Sequence, residues 1–325
     1  MEQSQNSSNV KKKKTILVLG NGFDISLDRK TRYKDFCDSD LWPFEKEYEN
    51  KMGLGNYLLQ RKNNDYKIER WIDLEEELYK YCKSGESCIA HYQKLNSGLE
   101  LESLIENDRK DYELLCSHLS QYLRFVETDK IDAKSPAARV FQALAESEKI
   151  DRVFSFNYTN LDALNKISGL PLVESDKIVY IHGKVDDNTA ILGIDDQLPI
   201  DDNYRFMVKQ FNKNFFRVNI NKESNSLDKA LREAKDIVFF GCSFGVNDIA
   251  YFKSFFDNLD TIKPESVTIF TYDEKSRMGI LDTLSQIKKD GSHSVKFLGL
   301  FNDFQIITTE NNGKEIQNYI DKAGL

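Results

Sequence analysis

Several polar residues stand where an apolar run stops. Asn157 follows Val153–Phe156, His182 follows Ile178–Ile181, and Ser243 and Asp248 follow Ile237–Phe240. The stretch Gly20-Asn21-Gly22-Phe23-Asp24 follows Thr15–Leu19 in the same way. In a parallel α/β sheet, ligands sit outside the C-terminal ends of the strands, so residues placed there are the ones to test for chemistry. At Gly20-Asn21-Gly22 the missing Cβ atoms let backbone N–H groups approach an anion, and the dipole of a following helix would add to the attraction. Without a third Gly the run is not the full dinucleotide fingerprint, and a tight turn with no ligand accounts for it as well. Asp24 is placed to cap the next helix, the commoner use, or to meet a ligand hydroxyl.

The other strand ends carry complementary groups. Asn157 can bond a water or a ribose hydroxyl through both donor and acceptor, or it can satisfy loop backbone. The chain has four His, at 91, 118, 182 and 293, and only His182 directly follows a strong strand. An imidazole titrates near neutrality and suits a general base, although a lone His is more often structural. Ser243 and Asp248 can hold phosphate or ribose. Gly241-Cys242-Ser243-Phe244-Gly245 also imitates a nucleophile elbow, but in that fold the His comes last, whereas His182 precedes Ser243. Glu75 and Glu76 are read as part of a solvated helix face.

The elements that must position these groups follow from periodicity. The run Thr15–Leu19 reads as a buried parallel strand. Trp71, Leu74, Leu78 and Cys82 share one helix face; Tyr112, Leu115, Leu119, Tyr122 and Val126 share another, and Ala137, Val140, Phe141 and Leu144 a third. Residues 31–148 therefore read as a helical insertion, too long for a single crossover helix. Strands are expected at 151–158, 178–181, 236–241, 266–271 and 294–298, with a further short one at 190–194. Helices are expected around Leu161–Ile167 (stopped by Gly169), 227–234, 249–259, 278–287 and 316–320. The expected fold is α/β: a doubly wound, mostly parallel Rossmann-like sheet of about six strands, spanning 15–325 and interrupted by the 31–148 helices. Residues 1–14 read as a solvated, disordered tail.

Composition narrows the class. A net charge of -8 argues against a general nucleic-acid binder. Five Cys without a Cys-x-x-Cys pair read as reduced thiols of a cytoplasmic protein, with no disulfide framework and no zinc ribbon. No apolar run reaches transmembrane length, and Ile16–Leu19 behind Lys11–Lys14 is too short for a signal peptide.

Taken together, Leu17–Asp24, Trp71-Ile72-Asp73-Leu74-Glu75, Phe156-Asn157-Tyr158-Thr159, Ile181-His182-Gly183 and Gly241–Phe252 resemble the AbiH family, named for bacteriophage abortive infection. That family is similar to the sirtuin-like Rossmann group, whose bacterial defence members cleave NAD. The resemblance implies an antiphage effector that binds NAD and hydrolyses its nicotinamide–ribose bond, with Asn157 and His182 catalytic. It implies that Gly20, Asn21, Gly22, Phe23, Asp24, Tyr158, Gly241, Ser243 and Asp248 hold the nucleotide, with no metal. Partners consistent with it are NAD or a related nucleotide, a phage trigger or partner protein, and further copies of the chain. Two departures stand out: Gly-Asn-Gly-Phe-Asp replaces Gly-Ala-Gly-Ile-Ser, and Thr159 replaces the usual Asp. The alternative is a nucleotide-binding sensor or interaction module without turnover.

Overall fold

The computed structural model describes residues 15–49, 51–65, 73–83, 99–171, 173–185, 192–194, 198–208, 220–245, 248–262, 264–287 and 303–324. The chain begins with strand β1 (Thr15–Leu19) and helix α1 (Asn21–Ser26). Helices α2 (Tyr33–Cys37), α3 (Leu54–Asp65), α4 (Leu74–Cys82), α5 (Leu99–Val126) and α6 (Pro136–Glu146) follow. Then come β2 (Ile150–Ser155), α7 (Asp162–Ser168), β3 (Ile178–Tyr180), α8 (Ile220–Glu233) and β4 (Asp236–Phe240). The last elements are α9 (Ile249–Asp257), α10 (Leu259–Ile262), β5 (Ser266–Thr271), α11 (Glu274–Ile287), β6 (Asp303–Thr308) and α12 (Gly313–Ala323).

The six strands form one sheet in the order β3-β2-β1-β4-β5-β6. Every pairing is parallel, so the fold is doubly wound α/β, with its order reversing between β1 and β4. All five residues of β1 are buried because helices cover both faces of the sheet. On one face Ile16, Val18, Phe154 and Phe239 pack with Leu227 and Leu231 of α8 and Phe252 and Phe256 of α9. On the other, Leu17, Leu19 and Phe240 pack with Val140 and Phe141 of α6, Leu164 of α7 and Ile316 of α12. A third core joins helices α2 to α5 to residues between 185 and 207: Phe36, Trp42 and Phe44 meet Leu58, Leu78, Leu115 and Leu119, with Val185, Ile194 and Tyr204 in the same cluster. Of the 31–148 stretch, α2 to α5 thus pack in a core separate from the two faces of the sheet and shared with those later residues. By contrast α6, begun by Ser135 accepting from the Ala138 N–H and by Pro136 at its first turn, lies on the sheet as the crossover to β2.

Two sequence expectations need correction. Leu192–Ile194 forms no sheet strand; its only pairing among the described residues is the Ile194–Val208 bridge. The sheet's outer strand β6 was not anticipated: its residues are only partly buried, as befits an edge, so its apolar signal is weak. The strand expected at 294–298 lies outside the described residues. Among those described, no helix is long and apolar enough to cross a membrane.

Candidate functional site

Register brings the strand ends together. Leu19 pairs with Ser155 on one side and Phe240 on the other, so the turns after β1, β2 and β4 emerge side by side at the point where strand order reverses. Their glycines interlock. Gly241 has φ +68°, and a Cβ there would lie 2.4 Å from the Gly22 Cα. A Cβ on Gly20 would lie 2.6 Å from the Gly241 carbonyl oxygen. The Gly20 N–H donates to the Phe240 carbonyl at 2.9 Å and the Gly22 N–H to the Gly241 carbonyl at 3.0 Å. These two amides, expected to face an anion, are therefore bonded to the β4 turn. Asn21 is tied to Thr31, whose hydroxyl donates to its Oδ1 at 2.7 Å. Phe23 packs its ring in the core against Phe141 and Phe240.

Asp24 does not cap α1, whose N-cap position is Gly20 and which has no side-chain cap. It is buried instead, accepting from the Thr159 hydroxyl at 2.6 Å, with Arg29 Nη1 3.7 Å from its Oδ1. Asn157 is buried too, and its Nδ2 donates to the Gly20 carbonyl at 3.1 Å. Asn157 and Thr159 thus both grip the α1 segment, and Tyr158 between them turns toward α4. The Tyr158 hydroxyl donates to Glu75 Oε1 at 3.3 Å and also shares a hydrogen bond with Tyr33.

His182 is the centre of the polar group. Its Nε2 lies 3.2 Å from Asp248 Oδ1. Rings flank the imidazole: Phe156 at 5.3 Å, Tyr251 at 6.0 Å and Tyr158 at 6.2 Å between centroids. Asp248 immediately precedes α9 but does not cap it. Ser243 is exposed on the β4 turn and makes no hydrogen bond to His182. The elbow pattern therefore yields no Ser–His pair, and the partner of His182 is a carboxylate. Cys242 behind that turn is buried, which pushes its thiol pKa up.

Helix α4 adds acidic groups to this setting. Asp73 caps it, its Oδ1 accepting from the N–H groups of Glu75 at 3.0 Å and Glu76 at 3.1 Å. Burial pushes the Asp73 carboxyl up to about 6, with the charges of Glu75 and Asp248 acting in the same direction. Burial likewise pushes the Tyr33 phenol up, and Glu75, Asp73 and Asp248 push it further. Glu76 is exposed, as expected of a solvated face, but Glu75 and Glu77 are buried, and for Glu75 that corrects the expectation. The two diverge: Glu75 meets Tyr158, whereas Glu77 accepts from Arg61 and Tyr57 of α3. A signal for Asp73 was present in Asp73–Glu76, the spacing of a capping box. Nothing in the local pattern marks Tyr33 or Tyr251.

The arrangement gives a His–Asp pair in an aromatic and acidic setting where the strand order reverses. A carboxylate on an imidazole orients it and stabilises its protonated form, which suits proton abstraction. Among the described residues no three His, Cys, Asp or Glu side chains assemble as a metal site.

A family model described as "Bacteriophage abortive infection AbiH" matches residues 16–272, which runs from the second residue of β1 to just past β5 and takes in all of the groups above. Curated proteins give no match to the chain. The match covers well over half of the sequence, and the chain belongs to the AbiH family of bacteriophage abortive-infection proteins.

Proposed function

We propose that this AbiH-family protein acts in abortive infection as an effector that binds NAD and hydrolyses the bond between nicotinamide and ribose. The observation that carries the reading is the His182–Asp248 pair, 3.2 Å apart beside the reversal point of a 3-2-1-4-5-6 sheet. Sheets of that order take dinucleotides in the crevice at that point.

The reaction asks for two things. As the C1′–N bond breaks, its electron pair goes to the pyridinium nitrogen and positive charge develops on the ribose. Asp248, Asp73 and Glu75 supply negative charge nearby, the form of stabilisation that such a transition state needs. A water oxygen then bonds to C1′ while His182 takes its proton, a contribution worth ~10²–10⁴-fold. With Nδ2 held by the Gly20 carbonyl, Asn157 presents Oδ1 to the water or to a ribose hydroxyl. Since the Gly20 and Gly22 amides are already bonded and the Asn21 side chain is held by Thr31, the phosphates fall to the Asn21 backbone N–H at the start of α1 and to Ser243, exposed on the β4 turn. Tyr158 borders the ring-binding end.

The test is release of free nicotinamide from NAD by the purified protein, with His182→Ala and Asp248→Asn beside it. Equal release by all three, or none by any, sinks the proposed reaction. A phage-derived trigger or partner protein belongs to the proposal, because an NAD-degrading enzyme that is always active would kill its host.

One observation favours a second reading, a nucleotide sensor without turnover. Asn157 and the two glycine amides are engaged inside the fold, as they would be in a scaffold that presents a site. Thermal stabilisation by NAD or ADP-ribose without nicotinamide release would establish it.

A further inference from the structure

Arg29 is fully buried, yet its Nε, Nη1 and Nη2 donate no hydrogen bond. Its charge is met by Asp24, whose Oδ1 lies 3.7 Å from Nη1 and accepts no hydrogen bond either. Leaving guanidinium donors unbonded in a protein interior is costly, so the pair has to be explained by what it holds in place. The other carboxylate oxygen, Asp24 Oδ2, accepts from Thr159 at 2.6 Å. That distance is typical of a hydroxyl donating to an ionised carboxylate. Burial pushes the Asp24 carboxyl up, and the Arg29 charge and the Thr159 bond both pull against it.

Thr159 closes a short segment with a clear division of labour. Asn157 and Thr159 bind the α1 segment through Gly20 and Asp24, and Tyr158 between them reaches Glu75 and borders His182. Asn160, next in line, donates its N–H to Glu127 Oε1. We infer that Arg29 is a positioning residue for the site: it keeps Asp24 as the carboxylate that clamps Thr159, and this clamp, with the Asn157–Gly20 bond, sets Tyr158 beside His182. The inference takes the location of the site from the reading above but not its reaction.

Hydrogen exchange tests it without reference to turnover. The Asn157 and Asn160 amides are bonded to Ser155 Oγ and Glu127 Oε1 and report on the segment. In Arg29→Met, Asp24→Asn and Thr159→Val they should exchange at least ~10-fold faster than in the wild type, while the amides of β5 keep their rates. Arg29→Lys, which keeps the charge, should stay within about threefold of the wild type. Thr159→Val removes only the hydroxyl and keeps the test in force should Arg29→Met not fold. Unchanged exchange in Thr159→Val, or Arg29→Lys loosened as much as Arg29→Met, overturns the inference. Nicotinamide release adds a second readout: Thr159→Val should lower kcat about tenfold and leave KM for NAD within about threefold. A wild type that releases no nicotinamide refutes the proposed reaction and leaves the exchange result to decide the role of Arg29.

Discussion

Gly22 and Gly241 are in backbone-to-backbone contact, so close that a Cβ on Gly241 would sit 2.4 Å from the Gly22 Cα. Gly241 also has φ +68°, a left-handed conformation that side chains disfavour. Gly169, at the end of α7, has the same φ but nothing within 4 Å of where its Cβ would be. The pair separates backbone strain from packing. Gly169→Ala should cost about 1 kcal/mol, from the left-handed conformation alone. Gly241→Ala should cost about 3 kcal/mol or more, because the β1 and β4 turns must also move apart. Urea midpoints of the two variants check this, and equal losses would show that the interlock is not as tight as described.

His182 and Asp248 should act as a unit. His182→Ala and Asp248→Asn are each expected to cut nicotinamide release by ~10²-fold or more, and the double variant by little beyond the worse single one. Ser243→Ala should raise KM for NAD and leave kcat within about threefold, since the hydrogen-bond partner of His182 is Asp248 and not Ser243. A collapse of kcat in Ser243→Ala would instead make the β4 turn a nucleophile elbow.

The thiols of Cys37, Cys82 and Cys242, which are buried, and of Cys116, which is half-buried, should be inert. Burial pushes Cys37, Cys82 and Cys116 up to about 12, and Cys242 is pushed up for the same reason. A thiol with that pKa is ~10⁻⁴ thiolate at pH 8, and the thiolate is the reactive form. Iodoacetamide at pH 8 should leave all four unmodified in the folded protein and label them in urea. Mass spectrometry of the peptides reads the result, and rapid native labelling at Cys242 would show that the β4 turn opens.

What the sequence made legible and what it hid divide along physical lines. The β1 run, the helix stop at Gly169 and the apolar face of Tyr112–Val126 are local patterns, and all three are in the structure. The strand ends were legible as well, since parallel strands bury continuous apolar runs and stop at polar residues. Glu75 was hidden because its partner Tyr158 lies 83 residues away, and charged residues are assigned to solvent unless a partner is known. Glu77 was hidden likewise: burial pushes its carboxyl up, but hydrogen bonds from Arg61, Lys80 and Tyr57 bring it below its usual value. The glycines were read correctly as permitting a close approach, yet what approaches is the β4 backbone. No local pattern distinguishes a glycine that admits a ligand from one that admits another strand's turn.

Asp108 of α5 should give the helical core a measurable pH dependence. It is fully buried and accepts from Tyr81 and Tyr204, each at 2.8 Å, and from the Leu54 N–H at 2.7 Å. Burial still outweighs those bonds and pushes its carboxyl from 3.8 up to about 6. The folded state therefore holds this proton more tightly than the unfolded state between pH ~4 and ~6. Stability from this group is fully present below the unfolded value, declines as pH rises through about 6, and is constant above. At about 1.4 kcal/mol per unit, the full swing is on the order of 2–3 kcal/mol. Asp108→Asn cannot titrate. It should be less stable than the wild type at pH 5, because an amide oxygen replaces a carboxyl that three donors share, and its stability should fall less between pH 4 and 6. Other carboxylates, Asp73 included, contribute equally to both proteins, so the difference between the two profiles isolates Asp108. Urea unfolding at pH 4, 5, 6 and 7 measures it, and parallel profiles would mean that Asp108 titrates alike in the folded and unfolded protein.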